Sequence, residues 1–223
     1  MRSLPVLVAG VFAAGAALAE EVGAPAGCAV AATLVKPDCE MHQVLACDGA
    51  GPVRVDVYKD SVFLGEQAYA ALAMVRWRRG RMLQELTVTA GDLAPVPTMP
   101  EGALVDLTLD RSRRMLGTDA APLVEAFTYR IEVIGPAIRG LPGGGDREVR
   151  RYRLVAEGAG GEASDLRIDF DQALQVPIWA EGTATGPDGN GSDVLSGTVA
   201  VLLPGDAGFA EGAAPDGAAC APG

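Results

Sequence analysis

The chain has 223 residues, with 18 lysines and arginines against 29 aspartates and glutamates, so its formal net charge at pH 7 is −11. A protein this acidic repels phosphate backbones, which argues against nucleic acid as a partner. The length suffices for one domain with its own hydrophobic core, and we expect a single domain over residues 20–209.

The first part of the chain, residues 1–19, has the features of a cleaved signal peptide. Arg2 supplies the positive charge, residues 4–14 form an apolar core, and Ala17-Leu18-Ala19 offers small residues at a cleavage site. No apolar run is long enough to span a bilayer, so we expect an exported chain that does not cross the membrane. The preference for arginine over lysine is typical of a high-GC bacterial genome. We therefore predict the periplasm, with secretion as the alternative.

Four cysteines follow the predicted signal peptide, namely Cys28, Cys39, Cys47 and Cys220. An even number of cysteines in an oxidising compartment predicts two disulfides. Spacing alone leaves three pairings open, and we favour Cys39–Cys47 with Cys28–Cys220. In that pairing, the otherwise flexible C-terminal tail (210–223) is tethered through Cys220.

Alternation of apolar and polar residues begins in the segment 53–89. Val53, Val55 and Val57 alternate with polar residues, and a second alternating run covers 69–77. Gly80 separates that run from a third one, which is typical of a hairpin. Since residues 66–79 are also rich in helix-forming residues, a helix ending at Gly80 is the alternative.

Further strands are predicted beyond the proline-rich link at 93–100. Alternating runs occur at 104–110, 124–134, 149–157, 165–171, 174–185 and 194–203, and Asn190-Gly191 predicts a tight hairpin turn. Turn residues separate these runs at short intervals, and no long helix is indicated. The pattern predicts an all-β fold of about ten strands, either an antiparallel β-sandwich or a β-barrel, closed or partly open.

Few residues are candidates for metal binding or catalysis. Cys39, Met41, His42 and Cys47 are a possible metal-binding group, but their spacing matches no zinc motif and disulfides compete for the thiolates. His42 is the single histidine of the chain, and no nucleotide-binding or hydrolase motif is present. We therefore expect no metal and no cofactor.

Two carboxylates on one predicted strand allow a hydrolase hypothesis. Asp169 and Asp171 point the same way, about 6–7 Å apart by strand rise, a separation that overlaps those of glycosidases. Asp106 is a further candidate. The simpler interpretation, which we favour, is a solvated strand face that also carries Arg167.

Arginines concentrate in three short groups near predicted turns. They are Arg76, Arg78, Arg79 and Arg81; Arg111, Arg113 and Arg114; and Arg147, Arg150, Arg151 and Arg153. If these turns meet at one end of the fold, they form a basic rim on an acidic body. Such a rim would suit anionic lipid head groups, lipopolysaccharide or an acidic protein partner.

The last third of the chain, with its Asn190-Gly191 hairpin and the sequence TVAVLLPGDAGF at 198–209, resembles small exported bacterial proteins of unassigned function. The resemblance implies an all-β periplasmic protein and transfers no catalytic residue.

Three functions are compatible with the sequence. The first is a non-enzymatic periplasmic protein that binds an envelope component, a partner protein or a hydrophobic ligand in an apolar cleft between its strands. The others are a carboxylate-based hydrolase that uses Asp169 and Asp171, and a structural or assembly protein that pairs through an exposed sheet edge. The sequence leaves the oligomeric state open.

Overall fold

The computed structural model describes residues 24–49, 51–215 and 220. The predicted signal peptide at 1–19 and part of the C-terminal tail lie outside these residues. The elements are β1 (Cys28–Val35), β2 (Met41–Cys47), β3 (Val53–Lys59), β4 (Val62–Ala70), β5 (Ala73–Arg79), β6 (Met82–Ala90), the short 3₁₀ helix η1 (Val96–Thr98), β7 (Leu104–Met115), β8 (Leu123–Gly140), β9 (Asp146–Gly158), β10 (Ala163–Asp171), β11 (Val176–Thr185), β12 (Gly191–Ser196) and β13 (Ala200–Leu202).

All thirteen strands belong to one antiparallel sheet. Each strand from β2 to β12 pairs with the one before it, and β13 pairs with the free side of β1. The all-β antiparallel prediction is confirmed, and residues 73–79 form a strand rather than a helix. The predicted strand at 194–203 is instead two strands, β12 and β13, and the strands of the cysteine-rich region, β1 and β2, were not predicted.

The sheet curls so that its two halves face each other. One core cluster joins Ala32, Leu34 and Val55 of the first three strands to Val149 of β9 and Ile178 of β11. A larger cluster packs the inner residues of β7 to β10 against the turn between β4 and β5 and against η1. Burial of these alternating apolar side chains on a common inner side is what drives the curling.

The two edges of the sheet lie close together because the chain passes directly from one to the other. Only residues 197–199 separate β12 from β13, and such a link spans at most about 14 Å. Gly197 crosses the indole of Trp179, where an added Cβ would lie 2.5 Å from a ring carbon. We call this place, where the edge strands approach each other without forming one ladder in the described structure, the seam.

Beyond β13 the chain returns over the outer face of β1 to β3. The Ala210 amide donates to Thr33 Oγ1 at 3.4 Å, and the Ser61 amide donates to the carbonyl of Gly212 at 2.9 Å. Thr33 and Gln43 beneath this segment are fully buried. The contacts hold residues 210–212 against the sheet.

Two disulfides are present, but their pairing differs from the one we favoured. Cys28 bonds to Cys47, and Cys39 bonds to Cys220. Cys28 and Cys47 face each other across the β1–β2 ladder. Cys39 lies in the turn at the far end of the same two strands, about 20 Å away by strand rise, so it cannot reach Cys47. The second disulfide therefore ties the C-terminal region to the β1–β2 turn.

A search of the described ranges for membrane-spanning helices finds none of sufficient length and apolar character.

Candidate ligand-binding cavity

The curled sheet contains an interior cavity of about 320 Å³ that is partly open to solvent. Its walls come from strands of both halves of the sheet. Most of the lining is apolar: Leu34, Val55, Leu72, Ala73, Met74, Leu86, Leu154, Leu166, Ile168, Val176, Pro177, Trp179 and Ala180. The volume lies at the lower end of the range for sites that hold small organic molecules.

A few polar groups interrupt this apolar wall. The Tyr69 hydroxyl donates to Gln67 Oε1 at 2.8 Å, and both residues line the cavity together with Gln84 and Tyr129. Burial raises the pKa of the Tyr69 hydroxyl above its ordinary value, so the group stays protonated. The cavity therefore presents neutral hydrogen-bonding groups that could orient a ligand without requiring a charge on it.

One end of the cavity lies at the seam and carries a cation. Lys36 Nζ donates to Thr198 Oγ1 at 3.3 Å, in the link between β12 and β13. Burial lowers the pKa of Lys36 to about 8, while the nearby Asp38 and Glu40 oppose that change. The ammonium group is thus still mostly protonated at neutral pH. A single positive charge at the end of an apolar space suits an amphipathic molecule with an anionic group.

His42 lines the same end of the cavity. Burial lowers its pKa, and the neighbouring Glu40, whose Oε2 lies 3.6 Å from His42 Nε2, only partly offsets this effect. The imidazole is therefore neutral at pH 7. Glu40 in turn has a pKa lowered to about 2, chiefly through its hydrogen bond with His42 and also through Arg79. The ionised Glu40 links the cavity end to β5.

A second cavity of about 390 Å³ adjoins the first, and Tyr129 lines both. It lies where β7, β8 and β10 to β12 approach their turns, and its lining includes the exposed Ala163 and Ser192. Arg111 crosses this region with its guanidinium 4.2 Å from the ring centre of Phe127. We call this second cavity the mouth, since it shares Tyr129 with the interior cavity and is lined partly by exposed residues.

Arg111 is held in the mouth by carboxylates. It donates to Glu125 Oε2 at 2.8 Å and to Glu162 Oε2 at 2.6 Å, and Glu125 also accepts from Arg113. The hydrogen bonds from Arg111 and Arg113 lower the pKa of Glu125. The mouth is therefore bordered by fixed charges, whereas the deeper cavity is mostly apolar.

The two carboxylates of the hydrolase hypothesis lie elsewhere. Asp169 and Asp171 are 0% and 1% exposed, so the expectation of a solvated strand face is wrong. Asp169 accepts hydrogen bonds from Arg151 at 2.7 Å and from Arg139 at 2.6 Å. Asp171 accepts two from Arg147, at 2.7 Å and 2.5 Å, and two from backbone amides. Neither aspartate lines the interior cavity or the mouth.

Arginine pairing accounts for the burial of these acids. Burial by itself would raise the pKa of Asp169, but the hydrogen bonds from Arg151 and Arg139 outweigh it and hold that pKa below its usual value. A carboxylate that stays ionised in this way cannot serve as a general acid near neutral pH. Asp106, the third candidate, is 68% exposed and pairs with Arg130 at 2.8 Å. The geometry gives Asp169 and Asp171 a structural role.

The three arginine groups do not all gather at one end of the sheet. The 76–81 group is joined to the 111–114 group, because Arg81 Nε donates to the Leu116 carbonyl at 3.0 Å and Glu85 pairs with both Arg76 and Arg114. The group at 147–153 lies in β9, which starts at the opposite end. Its members bind Asp171 (Arg147), the Met99 carbonyl (Arg150), Asp169 (Arg151) and Asp165 (Arg153).

The cysteines of the possible metal-binding group are oxidised, since Cys39 and Cys47 each form a disulfide. Across residues 24–49, 51–215 and 220, no three His, Cys, Asp or Glu side chains are placed to hold a metal ion.

Sequence reasoning missed the interior polar residues. One signal was available: Gln84 interrupts an otherwise apolar inner series of β6 formed by Met82, Leu86 and Val88. A polar residue at an inward position is typical of a site that needs a hydrogen bond. Lys36 gave no comparable signal, because it follows a strand that was not predicted.

Comparison with known proteins yields little. No family model matches the chain, and no curated protein matches it. A solved structure with some similarity is that of the hypothetical lipoprotein YmcC from Escherichia coli, with a TM-score of 0.46 and 8% sequence identity over 79% of this chain and 85% of that one.

Proposed function

We propose that this protein is an exported, non-enzymatic carrier that holds a small hydrophobic or amphipathic molecule inside its curled sheet. The observation that carries the proposal is the interior cavity of about 320 Å³, with a mainly apolar lining and a few neutral polar groups. Concave, mostly apolar sites with a small number of placed polar groups are typical of small-molecule binding.

The charges around the cavity favour an amphipathic ligand. Lys36 supplies one cation at the seam, where Thr198 Oγ1 is its hydrogen-bonding partner. The walls between Lys36 and the mouth are apolar or neutral. A molecule with an apolar body and one anionic group would bury the body in the cavity and place its charge beside Lys36.

The disulfides support the cellular location. Cys28–Cys47 and Cys39–Cys220 need an oxidising compartment to form and persist. Together with the predicted signal peptide, they lead us to propose the periplasm as the place where the carrier works.

Filling the cavity tests the proposal. Ala180 lines the cavity and packs against the larger core cluster, so Ala180→Phe should occupy the space of a ligand. Ala126→Phe, at an exposed position of β8, is the matched control. Titration with the neutral fluorescent probe phenylnaphthylamine should give binding to the wild type and to Ala126→Phe, and at least about tenfold weaker binding to Ala180→Phe.

The role of Lys36 is tested with the anionic probe anilinonaphthalene sulfonate. Affinity for this probe should fall as pH rises through about 8, because Lys36 loses its proton there. In Lys36→Gln, the anionic probe should bind several-fold more weakly and without that pH dependence, while the neutral probe is unaffected. Equal binding of both probes to wild type, Ala180→Phe and Ala126→Phe would contradict the carrier proposal.

A further inference from the structure

The β5–β6 turn and the β7–β8 connection form one surface, which we call the tip (residues 79–82 and 113–124). The two segments are fastened together: the Leu116 amide donates to the Arg81 carbonyl at 2.7 Å, and the Arg81 side chain donates to the carbonyls of Leu116 and Gly117. Met82 and Met115 are direct neighbours across the β6–β7 ladder. The tip is therefore a defined surface rather than two independent loops.

Large apolar side chains are exposed at the tip. Met82 is 36% exposed, Met115 42%, Leu123 56% and Val124 55%. Met82, Met115 and Leu123 lie on one face, because Met82 pairs with Met115 and Leu123 pairs with Arg113, two residues before Met115. Val124 pairs with Ser112 and points to the other face at the same end of the sheet. A group of exposed apolar side chains on a protein surface is typical of an interaction site.

Arginines surround these apolar side chains. Arg79, Arg81, Arg113 and Arg114 lie in the tip, and Asp119 is the single acidic residue in its sequence. The partners of three arginines are carboxylates outside the tip, and these pairs are partly exposed: Arg114 and Glu85, for example, are 49% and 42% exposed at a distance of 3.6 Å. The exposed and long Arg114–Glu85 pair is weak, so a phosphate group could replace Glu85 at little cost.

We propose that the tip docks the protein on a membrane surface rich in anionic phospholipids, with the arginines on the lipid phosphates and the four apolar side chains in the head-group region. The chain as a whole has a net charge of −11, so the body is repelled by such a surface and the basic tip orients it. Binding at a lipid interface requires exposed apolar side chains with basic residues beside them.

Docking in this orientation would also place the mouth near the lipid, since Arg111 of the mouth lies four residues before Met115 of the tip. That consequence rests on the proposed carrier function, but the docking itself does not. The Ala180→Phe variant, whose cavity is filled, should therefore bind vesicles as the wild type does.

Vesicle flotation tests the docking. Wild-type protein should float with vesicles of phosphatidylglycerol and phosphatidylcholine in equal parts, should not float with pure phosphatidylcholine, and should be released by high salt. Leu123→Ser should weaken the binding about tenfold through lost apolar burial. Arg114→Ser should weaken it about fivefold through the loss of one cation near the surface.

Two matched controls test whether replacing an exposed leucine or arginine outside the tip also weakens the binding to vesicles. Leu104→Ser removes a leucine that is 60% exposed at the opposite end of β7, and Arg130→Ser removes an arginine that is 66% exposed and paired with Asp106. Neither change should alter flotation. The proposal is overturned by equal binding to neutral vesicles, by no binding at low salt, or by an equal loss in the controls. It is also overturned if the tip joins two copies of the chain, seen as a dimer that Leu123→Ser dissociates.

Discussion

Arginines meet carboxylates both along β9 and β10 and at the tip, but the two regions differ in how deeply the carboxylates are buried. Asp169 and Asp171 are almost completely buried, and the two pairing partners of Asp169, Arg139 and Arg151, are themselves 19% and 26% exposed. At the tip, Glu85 and Arg114 are both nearly half exposed. The same pair of residue types is thus part of the folded framework in one region and available to an external anion in the other.

The largest effect is expected from the buried region. Asp169→Asn should lower the free energy of unfolding by about 3 kcal/mol, because two partly buried guanidinium groups lose the charge that compensates them. Urea unfolding at neutral pH measures the change. Asp165→Asn is the control, since Asp165 lies on the same strand, pairs with Arg153 and is 46% exposed. It should cost about 0.5 kcal/mol. Equal losses of unfolding free energy in the two variants would show that burial of the carboxylate does not determine how much its ion pair stabilises the fold.

An intermediate effect is expected at Glu40, which is 13% exposed beside a half-exposed Arg79. Its folded pKa of about 2 lies below the ordinary value of 4.5. The stability that this carboxylate contributes is therefore complete above pH 4.5 and is lost as pH falls through about 2. Glu40→Gln should cost about 1 kcal/mol at neutral pH. The difference from wild type should shrink between pH 4.5 and pH 2, which thermal unfolding across that range measures; a constant difference would contradict the assignment.

The smallest effect on stability is expected at the tip. Arg114→Ser should change the free energy of unfolding by less than about 0.5 kcal/mol, because its ion pair with Glu85 is exposed and long. The same urea experiment measures this change. A cost comparable to that of Asp169→Asn would mean that the tip arginines are structural, and it would remove the basis for a binding surface there.

Most strands of the fold could be predicted from local sequence patterns. The alternation in 165–171 predicted β10, and the link at Gly80 predicted the β5–β6 hairpin, because strand periodicity and glycine conformation are local properties. β1 and β2 were missed because both of their faces are covered, as the consecutive buried residues 32–35 and 43–45 show, so that apolar and polar residues do not alternate regularly there. The disulfide pairing required knowledge of the β1–β2 register, which the sequence spacing does not contain.

Burial of the acids on β10 was not predictable from that strand. Asp165, Arg167, Asp169 and Asp171 alternate regularly and read as one solvated face. Arg139, thirty residues earlier in the chain, covers Asp169 and stacks at 4.5 Å on the ring of Trp179. The cavity could not be predicted from the sequence either, because nearly every strand contributes to its walls and these walls form only when the sheet curls.

If the interior of the sheet holds a small molecule, native mass spectrometry of protein isolated from its own periplasm without reducing agent should detect it. We expect a mass that corresponds to both disulfides together with a bound molecule of apolar or amphipathic character. That molecule should be absent from Ala180→Phe and present in Ala126→Phe. A protein that is free of any bound molecule, and that takes up neither fluorescent probe, would contradict the account.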